Sequence, residues 1–108
     1  MNIHAVQKLA DLVEFNDENV NPKVLLKNGD FLSLLIAIKK GQLLAEHVSP
    51  VGAFMYVIEG EVEFNLNVDG KENNSKFEVK KGEVFSFKAN EKHSVFGKKD
   101  SKILVIRI

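Results

Sequence analysis

Apolar and polar positions alternate without a break from Glu61 to Val68. Val62, Phe64, Leu66 and Val68 fall on one side, and Glu61, Glu63, Asn65 and Asn67 on the other. Successive side chains of an extended chain point to opposite faces, so this segment predicts a half-buried β-strand. Asp69-Gly70 opens a turn, residues 71–75 are polar, and Phe77 and Val79 restart the alternation. Residues 23–27, 31–38, 43–47, 53–58, 83–87, 93–96 and 102–108 carry the other short apolar runs. They are divided by Asn28-Gly29-Asp30, Lys39-Lys40-Gly41, Pro50 with Gly52, Glu59-Gly60 and Lys81-Gly82. Such punctuation ends strands, and the count predicts eight to ten of them. No helical crossover of a dozen residues separates any two, which disfavours a parallel α/β sheet. The fold class is therefore all-β, a sandwich or barrel. Only the N-terminus departs: Ile3, Val6, Leu9, Ala10, Leu12 and Val13 have helical spacing. The expected organisation is a helical segment and connector over 1–22, then one β domain over 23–108.

Composition narrows the chemistry. The chain has 108 residues, enough to close a core without disulfide or metal staples. Its 15 Lys+Arg balance 15 Asp+Glu, which argues against a nucleic-acid binder that depends on a positive field. The aromatic residues are mostly Phe, and Phe64 and Phe77 alternate with apolar neighbours as buried residues do. A base-stacking platform would instead present exposed aromatics among basic residues. With no cysteine there is no disulfide framework, thiolate zinc site or cysteine nucleophile. The first residues mix charges among apolar positions and form no signal-peptide core, and the run 31–38 is too short to span a bilayer. The expectation is a cytoplasmic protein that binds neither membrane nor nucleic acid, with its chemistry left to His, carboxylates and hydroxyls. Phosphate-loop, dinucleotide, HExxH and GxSxG patterns are missing.

Two segments carry the remaining signal. Residues 41–60 read GQLLAEHVSPVGAFMYVIEG, and residues 82–97 read GEVFSFKANEKHSVFG. Together they resemble the paired signature motifs of the cupin superfamily. The first family motif runs Gly, five residues, His-x-His, three or four residues, Glu, six residues, Gly. The second runs Gly, five residues, Pro-x-Gly, two residues, His, three residues, Asn. Gly41, His47 and Gly60 match the first, while Ser49 stands at the second histidine position and Ala53 at the glutamate position. Gly82 and His93 match the second, with Lys88 for the proline, Asn90 for the glycine and Gly97 for the asparagine. The stretch His47-Val48-Ser49-Pro50-Val51-Gly52-Ala53 is also similar to a subgroup of small bacterial cupins. The resemblance implies a single-domain antiparallel jelly-roll barrel with a degenerate metal motif, and often a homodimer.

In the family the four ligand positions converge on iron, manganese, nickel or zinc. Here two remain, His47 and His93, and two imidazoles fall short of the three protein ligands usual at catalytic centres. By strand parity Ser49, Ala53, Met55 and Val57 share the inner face with His47. The favoured reading is a small-molecule-binding cavity anchored by His47 and His93, without a tightly held metal. The alternative is an isomerase- or dioxygenase-like enzyme in which water or substrate completes a divalent metal's shell on the same two histidines. A sensor module without turnover is the third class. His4 lies outside both motifs and is expected at the surface.

Overall fold

The computed structural model describes residues 1–67 and 75–107, with the backbone alone for Glu46 and His47. The described residues form nine strands: β1 (Asn21–Asn28), β2 (Phe31–Ile38), β3 (Leu43–His47), β4 (Ala53–Glu59), β5 (Glu61–Asn67), β6 (Ser75–Lys80), β7 (Val84–Phe87), β8 (Lys92–Gly97) and β9 (Ser101–Arg107). One sheet has the order β1-β2-β9-β4-β7 and the other β3-β8-β5-β6. Every pairing is antiparallel, which gives the jelly roll expected from the motifs. Val68, the Asp69-Gly70 turn and the polar stretch that follows lie outside the described residues.

Parity decides the core. Ile36 and Ile38 of β2, Met55 and Val57 of β4, and Ile103 of β9 face Val62 and Phe64 of β5, Val79 of β6 and Val95 of β8. These are the inner positions of alternating strands, and their burial is the main stabilising term. β2 is buried on both sides over its second half, because Val13 packs with Leu35 and Ala37 behind the five-stranded sheet. Leu9, Leu12 and Phe15 complete this second cluster. Lys102 fastens it, its Nζ donating to the Ala10 carbonyl at 2.6 Å and lying 5.1 Å from the centre of the Phe15 ring.

Three expectations shift. The helical spacing near the N-terminus becomes only a 3-10 turn, Leu9–Leu12, within a strap that covers the sheet. β1 starts at Asn21 and so includes Pro22, which edge strands tolerate. Phe77 is 39% exposed rather than buried, because β6 is the outer strand of its sheet and leaves one flank of the ring open.

The corner between β4 and β5 shows why a motif glycine is needed. Gly60 has φ +86°, and a Cβ there would collide with Ser101 Oγ and the Asp100 carbonyl. The buried Ser101 hydroxyl locks the same corner, accepting from Glu61 N–H at 2.9 Å and lying 2.7 Å from the Lys99 carbonyl.

Candidate functional site

Antiparallel register brings the chemistry to one end of the sandwich. In the larger sheet Leu32, Arg107, Ala53 and Phe87 lie in one row across β2, β9, β4 and β7. In the facing sheet His47, His93 and Leu66 lie in one row across β3, β8 and β5. Phe87 bridges the two, its ring centre 4.4 Å from that of His93. Phe64 stacks on the imidazole at 5.3 Å with planes 13° apart, and its ring centre lies 5.2 Å from that of Phe87, so the three rings form one cluster. Packed against both phenyl rings, His93 is 3% exposed.

Its Nδ1 lies 3.0 Å from the Glu91 carbonyl. A carbonyl can only accept, so Nδ1 carries a proton and donates it there. The loop that sets this geometry survives without the family's proline and glycine. Asn90 takes the left-handed conformation, φ 65°, that glycine would supply and that asparagine adopts more readily than most residues. Its N–H donates to the Ser49 carbonyl at 2.8 Å, tying this loop to the one after β3, and Lys88 N–H donates to Glu91 Oε1 at 2.7 Å.

Behind this row is a cavity of about 30 Å³. Ser49 and His93 line it together with Met55, Phe64 and Phe87. Leu34, Leu44 and Val105 extend the apolar wall, and Arg107 adds a cation. Of the residues expected at the site, Ser49, Met55 and His93 are therefore cavity walls. Ala53 and Val57 are buried yet absent from those walls, Val57 being packed into the core beneath. The His47 side chain lies outside the described residues; its Cα is paired with that of His93. Arg107 and Phe87 were missed by the sequence reading. Arg107 could have been found, since it continues the Ile103–Val105 parity of β9.

The described donors do not fit a transition-metal site. Ser49 donates its proton to the Val51 carbonyl at 2.7 Å within its own loop, and Ala53 has no ligating atom. Among the described residues no group of three His or carboxylate side chains converges. No helix among them is long and apolar enough to cross a membrane.

The family model for the cupin domain matches residues 34–107, and the chain belongs to that family. The fold is shared with a conserved protein of unknown function from Streptococcus pyogenes, at 18% identity, 100% coverage of this chain and 90% of that one, and TM-score 0.87. A cupin superfamily protein from Desulfitobacterium hafniense gives 18% identity, 100% and 94% coverage, and TM-score 0.87. Oxalate decarboxylase from Bacillus subtilis is similar at 13% identity and TM-score 0.75, over 85% of this chain and 26% of that enzyme. These likenesses establish the fold. Comparison with curated proteins gives no match.

Proposed function

We propose that this cupin binds a small molecule in the cavity beside His93, with a ligand of only a few heavy atoms and no tightly held metal. The observation that carries the reading is the pairing of an apolar recess with a single oriented imidazole. Met55, Phe64, Leu34 and Val105 supply the apolar surface, and the fixed orientation of His93 supplies direction. A volume of about 30 Å³ corresponds to roughly two waters. The unbranched Met55 side chain gives the wall some adaptability. His47, whose Cα is paired with that of His93, is the second anchor in this reading.

The ligand-binding test is a methyl NMR titration of the whole chain with butyramide, a neutral probe of suitable size. Saturable shifts at the Met55 methyl and at Val105 support the reading, and their absence at tens of millimolar removes it. The metal part is tested by elemental analysis of untagged protein. Near-stoichiometric iron, manganese, nickel or zinc surviving dialysis against chelator would overturn it. A homodimer belongs to the same reading. β1 is an edge strand on which Val24 and Leu26 are more than half exposed, and a second copy of the chain is the partner that an apolar edge of this kind suits. Sedimentation velocity at micromolar concentration checks it, with a monomeric mass as the refuting result.

A further inference from the structure

Arg107 is the chain's single arginine, and it is half-buried and lines the cavity. Strand parity puts it there: Ile103, Val105 and Arg107 alternate along β9, and the first two form core and cavity wall. Its row neighbours in the sheet are Leu32 and Ala53, neither of which offers an acceptor side chain. The ion pairs among the described residues all use lysine, at Lys39, Lys98 and Lys102, and none of them reaches Arg107. A guanidinium set against apolar walls, with no ion-pair partner among the described residues, offers a planar fork of donors that suits a carboxylate in two-point geometry.

We infer that Arg107 makes the mouth of this cavity a carboxylate site, and that the ligand is a short monocarboxylate with an apolar tail. This rests on the cavity-binding reading above. The carboxylate lies against Arg107, and the tail enters between Leu34, Val105 and Met55 toward Phe64. His93 turns its Nδ1 to the Glu91 carbonyl, so that nitrogen is not available to the carboxylate. Cavity size limits the tail to a few carbons, since about 30 Å³ cannot take a long chain without displacing core residues.

The experiment compares butyrate with butyramide on the whole chain, by methyl NMR titration at constant ionic strength, for wild type, Arg107→Gln and Arg107→Lys. The two probes share a tail and differ in charge. Butyrate is expected to bind about tenfold more tightly than butyramide to the wild type, the scale of a charge-assisted pair. Arg107→Gln should remove that preference by bringing butyrate affinity down to that of butyramide, and Arg107→Lys should keep part of it. Octanoate should gain nothing over butyrate. Equal affinity for the two probes, or a preference that survives Arg107→Gln, overturns the carboxylate site while leaving the cavity reading intact. Binding of neither probe overturns both. An arginine that merely extends into solvent gives the equal-affinity result.

Discussion

Phe64→Ala is the most informative single perturbation of the packing around the site. The Phe64 ring is 1% exposed and touches both sheets. Its centre lies 4.5 Å from Phe85, 5.2 Å from Phe87 and 5.3 Å from His93. Truncation removes the transfer energy of a buried phenyl and leaves a cavity continuous with the existing one, so collapse can recover little. Fully buried Phe→Ala changes cost about 3–5 kcal/mol. That is a large fraction of the roughly 5–15 kcal/mol available to a domain. At about 4–8 °C per kcal/mol for a domain near this size, the Tm should fall by more than ~12 °C. Urea denaturation followed by far-UV circular dichroism measures the loss as a lower midpoint at unchanged slope. Phe64→Leu keeps most of the volume and should cost about 1–2 kcal/mol, which preserves a folded reporter if the alanine variant unfolds. A loss under 1 kcal/mol for Phe64→Ala would refute the packing of this ring between the sheets.

Gly60→Ala and Gly82→Ala separate backbone strain from collision. Both glycines have positive φ, but a Cβ at Gly82 meets open space whereas one at Gly60 runs into Ser101 and Asp100. Gly82→Ala should cost about 1–2 kcal/mol and Gly60→Ala clearly more, and equal denaturation midpoints would contradict the corner geometry. Ser101→Ala strips the hydroxyl that accepts from Glu61 N–H, and about 1–3 kcal/mol should be lost in the same assay. Glu78, on the surface, is held below the ordinary carboxylate value of 4.5 by its hydrogen bond to Lys98 and then by the attraction of that charge. A lowered carboxyl pKa stabilises the fold above the unfolded value and loses that contribution as pH falls through the folded one. The effect is therefore confined to acid below about pH 4.5. Carboxyl NMR titration should show Glu78 returning toward its ordinary value in Lys98→Met, and no change would contradict the pair.

Much of the fold was legible because alternation maps directly onto a two-faced sheet. The stretch from Glu61 to Asn67 became β5, with Val62 and Phe64 fully inside. The N-terminal segment was harder, since helical spacing and a strap that packs apolar residues against a sheet give similar patterns. Leu9, Leu12 and Val13 all point at the back of the larger sheet, but only four residues take a helical turn. Phe77 misled for a related reason: parity gives the face of a sheet but not the strand order, and an outer strand leaves its inward residues partly open. At the site, motif spacing located His93 and Ser49, and parity located Met55. Arg107 was read simply as part of a closing strand. Its inward face follows from the parity of Ile103 and Val105, but its place beside Ala53 and Leu32 comes from register, a long-range pairing that no local pattern carries.

The central claim is that a small molecule sits between His93 and the apolar wall of the cavity. It is tested most directly by intermolecular NOEs from butyramide to isotope-labelled protein. Contacts to the Met55 methyl, the Phe64 ring and the Val105 methyls, reduced in competition with butyrate, are the predicted result. Contacts confined to exposed positions such as Val24 and Leu26, or none at a saturating concentration, would contradict it.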